Sequence, residues 1–214
     1  MKKLTFFILS CILISCAKEE STIRISKGKA SIRVNTYFDA YKKKDFENQF
    51  SFTSVINFKD GIAIEEIQDL NELFYIKKDS FAELKNKNFV ENKSQFMALD
   101  EKPIGLGFKE IIFDEKDLVQ SKDTIIENEK HIIKSYKNDD EIRRVLMKKT
   151  DTLYEFSFGK SLENSFNGRI QNIQIYNRKE DIFMTIYISY SKDMEKEKED
   201  IINFNQYLKA NGKI

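Results

Sequence analysis

Only two cysteines occur in this 214-residue chain, Cys11 and Cys16, and both fall within the first sixteen positions. Thiolates are nucleophiles and soft metal ligands, so everything beyond residue 16 lacks a disulfide, a sulfur nucleophile and a thiolate site. The single histidine, His131, stands beside Ile132 and Ile133 in a stretch that reads as a strand. A Ser-His-Asp arrangement would have to use it, and no serine lies in a nucleophile-elbow pattern, so His131 reads as a strand histidine. Carboxylates are plentiful, but Asp114-Glu115-Asp117 and Asp139-Asp140-Glu141 lack the alternation and central glycine of a calcium loop. Gly105-x-Gly107 lacks the third glycine and following helix of a phosphate loop. No catalytic residue, metal ligand or cofactor is therefore assigned.

The chemistry that can be assigned is done to the chain. Lys2 and Lys3 precede an apolar run from Leu4 to Ile14, the layout of an export signal. As a helix that run is about 16 Å long, too short for a hydrocarbon core of about 30 Å. Leu13-Ile14-Ser15-Cys16 resembles the lipobox of bacterial lipoproteins. The resemblance implies cleavage between Ser15 and Cys16, a diacylglyceryl thioether on Cys16 and acylation, for instance by palmitate, of the new amino group. Two or more acyl chains give stable anchoring where one does not. Lys18-Glu19-Glu20 follows at once and resembles the surface-export signal of Bacteroidota lipoproteins. The bland reading of the same residues is a solvated tether. The implied location is the outer membrane, lipid-anchored and facing the cell surface.

Composition bounds the rest. Net charge is +1 for the whole chain and −1 once Lys2 and Lys3 are removed. Such a balance carries no electrostatic footprint for nucleic acid. An aromatic share of 13% argues for a packed core despite 33% charged residues. The organisation read from the chain is a signal peptide at 1–15, a lipidated cysteine and polar tether at 16–30, and one domain at 31–214.

Within that domain the spacing of Val34, Tyr37, Phe38 and Tyr41 predicts a helix over 31–44. Asp45 reads as the cap of a second helix burying Phe46 and Phe50. Ala63, Ile67, Leu70 and Phe74 predict a third, and Ser80 with Glu83 resembles a capping box. From residue 100 the period falls to two. Ile104, Leu106 and Phe108 read as a strand, and 114–129 reads as a loop or hairpin connection. Strands follow at 130–136, 141–149, 152–158, 169–177 and 181–190, with Asn167-Gly168 marking a turn. Asp193 to Leu208 reads as a closing helix with Ile201, Phe204 and Leu208 inward.

Tyr37-Phe38-Asp39-Ala40-Tyr41 with Lys44-Asp45-Phe46, then Gly61 with Ala63-Ile64-Glu65 and Ile67, resembles the opening of NTF2-like domains over residues 32–74. The resemblance implies an α+β fold, with N-terminal helices, an antiparallel sheet and a C-terminal helix forming a cone. The functional expectation is a non-catalytic module that binds a small ligand or another envelope protein. The alternatives are a small carboxylate-dependent enzyme with an NTF2-like pocket, and a structural or toxin-neutralising envelope lipoprotein.

Overall fold

The computed structural model describes residues 22–42, 49–84, 96–107 and 113–212. The leader, Ser15, Cys16, Lys18-Glu19-Glu20, Asp45 and Phe46 lie outside these residues. Strands dominate. In chain order they are β1 (Ile23–Ile25), β2 (Lys27–Phe38), β3 (Gln49–Lys59), β4 (Ile62–Ile67), β5 (Glu72–Lys77), β6 (Ser80–Glu83) and β7 (Met97–Ala98). After them come β8 (Leu118–Ile126), β9 (Glu129–Lys137), β10 (Glu141–Lys149), β11 (Thr152–Tyr154), β12 (Gly168–Asn177) and β13 (Ile182–Ser191). Two α-helices are described, α1 (Lys160–Phe166) and α2 (Lys196–Ala210).

Eleven strands form one antiparallel sheet in the order β7-β6-β5-β4-β3-β2-β13-β12-β10-β9-β8. The remaining two, β1 and β11, pair in parallel. The sheet is open, with β7 and β8 at its edges. This overturns the expected fold class: there are no N-terminal helices and no closed cone among the described residues.

The physical reasons are local. Ala30, Ile32 and Val34 are buried on one face of β2 at a period of two. Tyr41, counted above as helical core, is 75% exposed. The β-branched and aromatic run Ile32 to Phe38 suits a pleated surface better than a helix. The spacing of Ala63, Ile67 and Phe74 likewise belongs to β4 and β5, joined by one helical turn at Gln68–Leu70. Ser80 opens β6 rather than a helix, and its hydroxyl donates to the Lys77 carbonyl at 2.9 Å. Gly105 and Gly107, expected in a strand, have φ of +81° and +84° and lie in a loop. The charged 114–129 stretch contains edge strand β8, whose burial is slight on both faces.

The sheet has an inner and an outer face. Ile32, Val34, Phe52, Ile56, Phe58, Ala63, Phe74, Phe81, Val145, Met147, Ile173, Ile186 and Ile188 cover the inner one. Leu106, Phe156, Phe158 and Leu162 fold over them from the loops and α1. On the outer face α2 packs Ile202, with Ile201 at its flank, against Ile62, Ile64, Tyr75 and Leu84. Phe204, expected inward, is 48% exposed.

Candidate functional site

The inner face holds two buried carboxylates. Alternation along β4 places Glu65 on the same face as Ala63 and Ile67, so the carboxyl points into the core. It is fully buried and pairs with buried Lys102 at 2.6 Å. Glu65 Oε1 also accepts the Leu106 N–H at 2.7 Å and the Ser54 hydroxyl. Lys102 donates to the Ile104 carbonyl and sits 4.1 Å from the Phe74 ring centre. Burial pushes the Glu65 carboxyl up, against Lys102, Ser54 and the Leu106 N–H. It pushes Lys102 down, against the opposing pull of Glu65. Gly105 completes the cluster. A Cβ there would collide with Glu65 and lie 2.8 Å from Lys102 Nζ. The cluster is a clamp holding residues 102–106 against the sheet, and every donor and acceptor named is spent on it.

The second carboxyl, Glu163 on α1, forms no ion pair among the described residues, although the Arg169 charge is near enough to favour its ionised form. Its Oε1 accepts the Ile170 N–H at 2.9 Å and the Tyr190 hydroxyl at 3.3 Å. Burial raises its affinity for a proton, against bonds from Ile170, Ser157 and Tyr190. Tyr154 and Tyr190 stack beside it, 4.7 Å apart and 12° from parallel.

Between these two clusters a cleft of about 780 Å³ opens on the inner side of the sheet. Its apolar walls are Leu99, Leu106, Phe113, Phe156, Phe158 and Ile173. Lys78, Asp79, Asp100, Glu155 and Lys160 add charge. Two of its lining residues are tied together, the Gly61 N–H donating to Glu155 Oε2 at 3.0 Å. The size falls in the range of about 300–1,000 Å³ usual for small-molecule sites, which pair apolar walls with a few polar groups. Gly107 lets the backbone close on Leu99: a Cβ would come within 2.7 Å of the Leu99 carbonyl oxygen.

Sequence reasoning found part of this. Tyr154, Phe156 and Phe158 were expected on one face of 152–158, and all three are buried in the inner core, although the strand stops at Tyr154. Leu99, Phe113 and the Glu65–Lys102 pair carried no local signal, because they meet only through the fold. His131 does not line the cleft. Its Nδ1 bonds the Glu129 carbonyl and its Nε2 the Gln171 amide oxygen, each at 2.9 Å, which fixes β9 to β12. Asp39 lies in the turn after β2 with φ of +53°. Among the described residues no three His, Cys, Asp or Glu side chains gather as a metal site.

No family model and no curated protein matches this chain. Among solved structures it overlaps a domain assigned to outer membrane lipoprotein sorting in Vibrio parahaemolyticus, at 8% identity and TM-score 0.32, covering 81% of this chain and 91% of that one. It also overlaps a DUF1329 family protein from Desulfovibrio piger, at 10% identity and TM-score 0.29, covering 77% of this chain and 84% of that one. Both overlaps are loose, and neither assigns the chain to a family.

Proposed function

We propose that this chain is a lipoprotein of the bacterial outer membrane, anchored through acyl groups on Cys16, whose inner cleft binds an apolar or amphiphilic small molecule. The anchor rests on Leu13-Ile14-Ser15-Cys16 and the basic, apolar leader before it. Display on the cell surface rests on Lys18-Glu19-Glu20. The binding role is carried by one observation, the aromatic and aliphatic walls of the cleft beneath charged groups. That combination suits a ligand with an apolar body and a polar end. Burial of its body supplies the affinity, at about 25 cal/mol per Å² of apolar area.

Three experiments divide the proposal into its parts. Cells fed labelled palmitate should transfer label to the wild-type chain and none to Cys16→Ala, which should also leave the membrane fraction. Label on the Ala variant, or its retention with membranes, contradicts the anchor. Replacing Lys18, Glu19 and Glu20 with Ala should abolish cleavage by protease added to intact cells, and unchanged cleavage contradicts surface display. Organic extraction of purified protein should release an apolar small molecule from wild type and much less from a cleft-filling Leu99→Trp variant. Equal release from both contradicts the cleft as the site.

A further inference from the structure

The two ends of the sheet differ in what they carry. The register places the turns at Asp60-Gly61, Lys78-Asp79 and Glu127-Asn128 at one end, with the chain passages at 150–151 and 167–168. The turns at 39–42, 68–71, 138–140 and 178–181 lie at the other. β3, with eleven residues, separates the two by about 36 Å.

The segment that precedes the sheet enters at the first of these ends. The Ile23 N–H donates to the Asp151 carbonyl at 2.8 Å, and Ile23 is the register partner of Thr152. From Cys16 to Thr22 there are six peptide units, which reach at most about 20 Å. A chain anchored at Cys16 therefore holds this end of the sheet close to the lipid surface.

On that same end the β8–β9 hairpin carries an exposed apolar tip. Lys148 of β10 stands opposite His131 of β9, which stands opposite Thr124 of β8, so the tip is level with Asp151 and two strands, about 10 Å, to the side. Glu127 and Asn128 make a tight turn with φ of +51° and +63°. Ile125 and Ile126 flank it on opposite faces and are 71% and 38% exposed. Edge strands are normally guarded against exposed apolar side chains, and two isoleucines at a turn break that practice. Their surroundings are lightly basic. Asp123 is paired with Lys149 and Glu129 with Lys148, which leaves Lys122 and Lys130 against Glu127.

We infer that the β8–β9 tip is a second membrane contact, seated in the headgroup region of the bilayer that holds the Cys16 acyl groups. The inference rests on the anchor reading above. It fixes the orientation of the domain: the end with the hairpin tip faces lipid and the end with Tyr41 and Asp181 faces away. The cleft reaches the lipid-facing end, since Gly61, Lys78 and Asp79 are among its lining residues.

The chain contains no tryptophan, so a single introduced one reports its own surroundings. Ile126→Trp, Ile125→Trp and, as the distal control, Tyr41→Trp are made in the full acylated chain. Each is reconstituted into phosphatidylethanolamine–phosphatidylglycerol vesicles bearing a nitroxide near the headgroup. Flotation with the vesicles is scored first; failure to float overturns both the anchor and the inference. With flotation intact, the two tip tryptophans should shift to the blue and lose most of their emission, while Tyr41→Trp keeps its own. Tip tryptophans that stay unquenched, or a control quenched equally, overturn the membrane contact and leave the anchor standing.

Discussion

The two faces of the sheet bury polar groups to different ends. On the inner face Glu65 is given a cation, a hydroxyl and a backbone N–H, and Glu163 a backbone N–H and a phenol. On the outer face, under α2, Asn205 is fully buried and neither atom of its amide has a hydrogen-bond partner among the described residues. Asn57 does better: its Oδ1 accepts the Glu195 N–H at 3.0 Å and so holds the start of α2 on β3. Glu65 and Glu163 hold loops in place and shape a cleft, and Asn57 and the Lys198–Glu66 pair hold α2 to the sheet, whereas Asn205 makes no side-chain bond among the described residues. An unmet buried amide costs stability without adding a contact, and a met one costs little.

The largest effect should come from breaking the inner clamp. Lys102→Ala leaves Glu65 buried without its cation, and should cost about 3–5 kcal/mol in urea unfolding. Replacing both, Glu65→Gln with Lys102→Met, should recover much of that loss. A single variant as stable as wild type would show that the clamp holds nothing. Next is Gly105→Ala. It combines a left-handed backbone, about 1–2 kcal/mol, with a collision against the Glu65 carboxyl, so the loss should exceed 2 kcal/mol on the same measurement.

Asn205→Leu should act in the reverse direction. Removing two unpaired buried polar atoms should stabilise the protein by about 1–3 kcal/mol, read as a rise in melting temperature. A fall would mean that the amide is satisfied in solution, and the contrast between the faces would disappear. The smallest effect concerns pH. Burial raises the Glu163 carboxyl above its ordinary value of 4.5 in the folded state. Its contribution is then fully present below the unfolded carboxyl range and is lost as pH rises through the folded value. Glu163→Gln lacks that loss, so its stability relative to wild type should climb from about pH 4.5 upward and then level off. A difference that is flat with pH contradicts the shift.

How much of this was legible depended on what interrupts the alternation. β13 was plain, because Ile182, Met184, Ile186, Ile188 and Tyr190 repeat without a break. β9, β10 and β12 were read from the turns that bound them, at 137–140, Asn167-Gly168 and 177–181. β2 and β3 were not, since Asn35, Thr36, Ser54 and Asn57 are polar yet buried. In β4, Glu65 sits where an apolar residue would have kept the period of two. The aromatic spacing of 34–41 then matched a helix by coincidence, and the NTF2-like resemblance rested on that coincidence. α2 was legible as a helix, and Ile201 and Leu208 do face inward, but the rest of its buried face was not legible, because Lys198 and Asn205 lie on it and Phe204 does not. The cleft was hidden for a different reason: its walls come from 99–107, Phe113, 155–160 and β12, and no spacing along the chain links them.

The central claim, that the inner cleft binds an apolar ligand, is met most directly by titrating an environment-sensitive naphthylamine dye into residues 17–214. Wild type and Leu99→Trp are compared after circular dichroism has shown the same strand content in both. The cleft reading predicts saturable binding by wild type and an affinity at least about tenfold weaker for Leu99→Trp, a difference of about 1.4 kcal/mol, with the melting temperature unchanged. Equal affinity in the two proteins, or no saturable binding in either, would contradict it.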